Sequence, residues 1–283
     1  MYQFSNGIVS SVAPDRRFHI NLPVALALIF VVSWIGAAPM VLASWADEGP
    51  VWQGLASSLA PFQPLMFFGT LLVTVFVTFV NYGFTGLKSL GGALVRFRVR
   101  GIWYFACLAG PFLLVIAGSL LARHFDPRLP VFSISPAMLV MVSQIFGVYL
   151  LLNTEEVAWR GYVLPHLQGR MSPLRANLIL GVVWTVFHSP LFLMKGGHPA
   201  GYSFLVFAVM VMAITLIAGY IFNATRGSIL ISHLLHQSFN AWGEGLRVFP
   251  SMNGGSQWPF GMVVLILVLL AMVAGVSLAR RRQ

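Results

Sequence analysis

An all-α, polytopic membrane fold of about eight transmembrane helices is what this sequence predicts. Hydrophobic residues make up 58% of the 283 positions and charged residues only 8%, with a mean hydropathy of +0.84. That leaves too little polar surface for a chain of this size to stay in water. The apolar residues also come in stretches close to the ~20 residues a bilayer core demands of a helix, with polar and basic residues gathered between them. Stretches of that length favour helices over the ~10-residue alternating strands of a membrane barrel.

Eight segments follow in order, near residues 22–44, 60–81, 102–122, 136–158, 175–194, 202–222, 229–243 and 260–279. The first follows Arg16-Arg17 but is longer than the ~7 to 15-residue core of a signal peptide, so it is expected to be a retained helix. After the second, Lys88, Arg96, Arg98 and Arg100 alternate with Leu87, Leu90, Leu94, Phe97 and Val99. That connection reads either as an amphipathic element on the inner leaflet or as a basic loop. The third holds the single cysteine, Cys107, which is expected to pack as a small hydrophobe. The seventh is short and polar, and its neighbours make it credible. With no internal repeat and no linker rich in Pro, Gly and Ser, residues 1–283 form one membrane domain with a catalytic core at about 136–243.

Orientation comes from the Lys and Arg residues between segments. With the N-terminus in the cytoplasm, Arg16, Arg17, Lys88, Arg96, Arg98, Arg100, Arg170, Arg175, Arg226, Arg280, Arg281 and Arg282 lie inside, against Arg123, Arg128, Lys195 and Arg247 outside. The same arrangement puts Asp47, Glu48, Asp126 and Glu244 outside, and both termini in the cytoplasm. The formal charge of +10 is dispersed among apolar segments, which fits an anionic inner leaflet and excludes a phosphate-tracking nucleic-acid surface.

Against this background Glu155 and Glu156 stand out, two of only seven acidic residues. A charge at membrane depth costs roughly 2.5 to 3.5 kcal/mol, which marks a functional site. Neighbours on a helix diverge by ~100°, so the two carboxylates point apart, whereas Glu156 and Arg160 at i and i+4 share a face. Glu156 therefore pairs with Arg160 as a structural couple, and Glu155, on the side of Leu152 and Trp159, is free to act as a base. His188, one turn after Trp184, adds an imidazole. His233, His236 and Asn240 fall at i, i+3 and i+7, on one face of the seventh helix. Polar contacts that merely join helices contribute ~0.6 kcal/mol each and explain one or two such groups more readily than all of them.

Three strings, Glu155-Glu156-Val157-Ala158-Trp159-Arg160, Trp184-Thr185-Val186-Phe187-His188 and His236-Gln237-Ser238-Phe239-Asn240, resemble the motifs of the CPBP (Abi, or type II CAAX prenyl protease) family of intramembrane proteases. They occur in that family's order. Trp184 stands where the family often has Phe, keeping an aromatic cover. His233 lies outside the motifs and is expected in a supporting place, while His19, His124, His166 and His198 are expected on the surface.

The resemblance implies peptide-bond hydrolysis in the membrane, with Glu155 and His188 polarising a water and His236 and Asn240 stabilising the oxyanion. Glu155, His188 and His236 could equally hold zinc or another divalent metal with an open position for water, and members of the family have been called metalloproteases. His-Glu-x-x-His is absent, and a metal-free, cofactor-free glutamate mechanism is the expectation. The partners implied are the bilayer and a membrane protein or lipidated peptide, one of the prenylated CAAX type included, with no nucleic acid, in the cytoplasmic membrane of a prokaryote. Two further readings stay open: a non-catalytic scaffold or immunity-type protein of the same fold, and a proton-coupled transporter. Depth adds a condition. Glu155 and His188 meet only if the fourth helix continues well past Arg160 or the fifth starts outside the bilayer, and the cavity between them is expected to face the cytoplasm.

Overall fold

The computed structural model describes residues 19–129 and 134–280, and among these every regular element is helical. Arg16, Arg17, Arg281 and Arg282 lie outside the described residues. The helices are α1 (Leu22–Ala43), α2 (Pro50–Leu59), α3 (Leu65–Leu94), α4 (Gly101–Phe125), α5 (Pro136–Leu152), α6 (Glu155–Ala158), α7 (Leu164–Gln168), α8 (Pro173–Phe187), α9 (Phe204–Ala224), α10 (Ile229–Gly245) and α11 (Trp258–Arg280). Residues Trp159–Val163 form a π-helical turn between α6 and α7.

Six helical stretches are long and apolar enough to cross a bilayer, and α5 joined to Glu155–Gln168 across a 43° bend makes up to seven. The eighth expected crossing is α10, which at 17 residues extends ~25 Å and is enclosed by α4, α5 and α9. Six to seven long apolar spans bear out the helical membrane fold, with α10 the short, polar member that the sequence also marked. A carbonyl ladder with no water to fall back on must be internally bonded, which is why the 60–81 segment does not end where its hydropathy does. It runs on as α3 to Leu94 through a kink at Gly83, whose φ of 61° and ψ of −156° favour glycine. The basic 83–101 connection is therefore helical over its first half. The surface helix α2, none of whose residues is buried, was not visible in the sequence.

Polarity is sorted inside out. Leu72 and Phe76 on α3, Leu113 and Leu120 on α4, and Leu269 and Val276 on α11 are exposed, as lipid-facing positions should be. Thr70, Thr74 and Thr78, one face of α3 at i, i+4 and i+8, are buried. Close approach is allowed by small residues: a Cβ at Gly36 of α1 would lie 2.0 Å from the Met66 backbone nitrogen.

The chain from Glu156 to Leu164 is the most enclosed part of the molecule, with Ala158, Trp159, Arg160, Val163 and Leu164 at 0% exposure. It continues the fourth span to Gln168, one of the two conditions for the glutamates to meet His188.

Side-chain and backbone contacts separate two ends of the bundle. At one, the Asn81 carboxamide bonds both backbone groups of Ile20, Arg96 Nη1 donates to the Arg226 carbonyl at 2.6 Å, and Gly275 faces Leu174. At the other, Trp45 Nε1 donates to the Leu193 carbonyl at 3.0 Å, Lys195 pairs with Asp47 at 2.7 Å and with Glu48, the Ser251 amide donates to the Ala200 carbonyl at 3.1 Å, and the Phe125 and Trp258 rings stack at 4.9 Å.

Candidate active site

The break at Asn153-Thr154 sets the site. Thr154 Oγ1 donates to the Phe67 carbonyl at 2.7 Å and meets Thr70 Oγ1 at 3.1 Å, so the start of α6 is tied to the first turns of α3. A fresh helical start at Glu155, with Asn153 Oδ1 accepting from its amide at 3.2 Å, turns the first carboxylate toward α8. The π turn that follows is of a kind often found at functional sites.

Glu155 Oε2 accepts from Trp184 Nε1 at 2.5 Å and Trp159 Nε1 at 3.1 Å. His188 Nε2 lies 3.8 Å from the same oxygen. His188 itself sits at the C-terminal end of α8, its Nδ1–H bonded to the Trp184 carbonyl at 2.9 Å. That bond assigns the proton to Nδ1 and leaves Nε2 facing the carboxylate.

Glu156 points the other way, at 1% exposure. Its Oε1 accepts from Arg160 Nη1 at 2.8 Å and from His236 Nδ1 at 3.0 Å. The guanidinium also lies 4.7 Å from the Trp184 ring, a cation–π contact that shares out a buried charge. Trp184 is thus at once the donor to Glu155, the neighbour of Arg160 and a T-shaped partner of His236 at 5.1 Å. Expected as an aromatic cover, it is instead 2% exposed and part of the wall.

A cavity of about 400 Å³ brings Glu155, Trp184, His188, His236 and Asn240 together. His233 is not on it. Its Nε2–H donates to the Leu150 carbonyl at 2.9 Å and its Nδ1 accepts from Gln237 at 3.2 Å, so it clamps α10 to the last turn of α5. His236 and Asn240 reach the cavity, whereas His233, close to Asn240 in angle but ~10 Å away along the helix axis, meets α5 instead.

Two of the four histidines expected on the surface are elsewhere. His19 and His124 are exposed. His166 is 7% exposed, donating from Nδ1 to the Tyr162 carbonyl at 2.6 Å and accepting from the Tyr82 hydroxyl at 2.9 Å. His198 lines the cavity and stacks on Tyr202 at 4.5 Å. Tyr149 and Glu244 are also on the cavity wall, the tyrosine hydroxyl donating to the carboxylate. The Tyr149–Glu244 pairing could not be read from the chain, since the partners lie 95 residues apart.

Burial, and then the nearby His188, push the His198 imidazole down to about 4 from 6.5. The lowered value means the neutral ring is favoured in the folded protein. Its stabilisation is complete above about pH 6.5 and is lost as pH falls through about 4. Thermal unfolding in detergent at pH 7, 5.5 and 4.5 is therefore expected to show a steeper loss of stability for the native chain than for His198→Phe; parallel curves would remove His198 as a cause.

Among the described residues no three His, Cys, Asp or Glu side chains are grouped so as to hold a metal ion. Both indole N–H groups aim at Glu155 Oε2 and His236 Nδ1 is engaged by Glu156.

Residues 132–242 match the family model for the type II CAAX prenyl endopeptidases, Rce1-like. CAAX prenyl protease 2 of Methanococcus maripaludis is 26% identical over 113 residues, 38% of this chain and 42% of that protein. The chain therefore spans less than half the length of the curated relative it matches. The matched stretch contains all three motifs, with Glu155, Trp184, His188, His236 and Asn240 among its residues, and it is over residues 132–242 that the chain is similar to the Rce1-like, type II CAAX prenyl endopeptidases.

Proposed function

We propose that this protein is an intramembrane endopeptidase that hydrolyses a peptide bond of a membrane-associated substrate with water activated by Glu155. The observation that carries the proposal is one cavity in which a carboxylate stands 3.8 Å from an imidazole nitrogen, with His236 and Asn240 on the same wall. In the first step Glu155 takes a proton from water while His188 Nε2 orients it, and the hydroxide adds to the scissile carbonyl. The indoles and His188 all address Oε2, which leaves Oε1 for the proton. The tetrahedral oxyanion is met by the Asn240 amide and by His236. Because Glu156 holds His236 Nδ1–H, Nε2 donates only when the ring is an imidazolium, whose charge Glu156 offsets. Glu155 then returns its proton to the leaving amine as the C–N bond breaks, giving an acid and an amine.

The name of the matched family points to prenylated CAAX substrates; what the geometry supports is peptide hydrolysis beside lipid. The test is a panel of quenched peptides offered to the purified protein in proteoliposomes. Cleavage is expected, and it should survive dialysis against EDTA and 1,10-phenanthroline. Loss on chelation with recovery on adding zinc would reassign Glu155, His188 and His236 to a metal. Absence of cleavage across the panel and in cells would favour a non-catalytic role for the fold.

A further inference from the structure

We infer that the catalytic cavity is served from the non-cytoplasmic face of the membrane, so that the polypeptide it cuts is presented from outside. The inference deepens the peptidase reading by naming its substrate's side, and rests on it for the word "cuts" alone.

The cavity is off-centre along the bundle. Besides the catalytic set it is lined by Trp34 and Ala37 in the second half of α1, Met66 and Phe67 at the start of α3, Glu244 at the end of α10, and residues of the connections at 198–202 and 249–252. These belong to the end where Trp45 meets Leu193 and Ser251 meets Ala200. The opposite end, where Arg96 meets Arg226 and Gly275 faces Leu174, contributes nothing to the lining.

Charge divides along the same axis. The segments that belong to the cavity-free end carry twelve Lys and Arg residues, from Arg16 and Arg17 to Arg280–Arg282, against Asp15 alone. Those at the cavity end carry Arg123, Arg128, Lys195 and Arg247 balanced by Asp47, Glu48, Asp126 and Glu244. An excess of this size in short connections sets orientation, because basic residues stay on the cytoplasmic side. The expectation of a cytoplasm-facing cavity came from the chain alone, before the tilt and break of α5 lifted Glu155 toward the other end.

Charge on the wall adds a substrate property. Glu155 and Glu244 line the cavity, and among the described residues no lysine or arginine does. Those carboxylates disfavour further acidic side chains of a substrate beside them, and a neutral or basic segment meets no such charge. The substrate class is thus a neutral or basic stretch of an exported or membrane-anchored polypeptide, entering from outside.

Single cysteines in a Cys107→Ala background decide the side. Ser251→Cys and Pro199→Cys stand at exposed positions near the cavity mouth, and Gly92→Cys at an exposed position with open space near the basic end. In intact cells a membrane-impermeant maleimide is expected to label the first two and spare Gly92→Cys until the membrane is opened. The reverse pattern overturns the inference. In a second arm, right-side-out vesicles carry a membrane-tethered reporter peptide on one face or the other. Only the outward-facing reporter should be cut, and Glu155→Gln should cut neither. Failure of the native protein to cut either reporter counts against the peptidase reading, while the labelling still decides the side.

Discussion

Glu155→Gln is expected to lower peptide cleavage by about 10²–10⁴-fold, the share of a positioned general base, while the protein extracts, purifies and unfolds much like the native chain. Glutamine is close in volume and keeps an oxygen to accept the Trp159 and Trp184 indole protons now held at 3.1 and 2.5 Å. It cannot take a proton from water. The expected signature is a fall in kcat with little change in substrate binding, because the lost interaction belongs to the transition state. Cleavage at the native rate would end the role of Glu155 as base, and a large stability loss would mean that its negative charge, rather than its basicity, is what the wall requires.

Glu156→Ala should act in the opposite sense and damage the fold first. Arg160 is 0% exposed and its one anionic partner is Glu156 at 2.8 Å. Removing one half of a buried ion pair costs about 3–5 kcal/mol, a large part of the ~5–15 kcal/mol that a domain has in hand. Exchanging both partners for apolar residues, Glu156→Leu with Arg160→Met, should recover most of that loss, because no charge is then left unpaired. Thermal unfolding of the two single variants and the pair measures this directly. Cleavage should not return with stability in the double variant, since Glu156 also holds His236 Nδ1 at 3.0 Å. Recovery of both would show that the bond between Glu156 and His236 carries no weight in the reaction. Equal stability losses for Glu155→Gln and Glu156→Ala would undo the division of labour altogether.

Much of the candidate site was legible in the chain because much of it is local. The i, i+4 spacing of Glu156 and Arg160 places them on one helical face whatever surrounds them, and the structure has them bonded. The apolar stretches likewise declare a helical membrane protein, since nothing else satisfies a backbone in lipid. The three motifs supplied the family resemblance and the residues to watch.

What spacing could not convey was depth and neighbourhood. When every face of a segment is apolar, hydropathy is blind to where a helix breaks. The bend at Asn153-Thr154, the π turn at Trp159–Val163 and the run of α3 past Gly83 were accordingly missed. Those breaks come from contacts such as Thr154 with the Phe67 carbonyl, made between residues far apart in sequence. They bring His198, Tyr149 and Glu244 onto the cavity wall, send His233 to α5 and draw His166 into the interior. They also carry the cavity toward the end of the bundle that lacks the basic excess. The residue types and their spacing established a helical membrane protein and singled out carboxylates and imidazoles as its candidate site; which groups meet, and on which side, depended on helix breaks that packing selects.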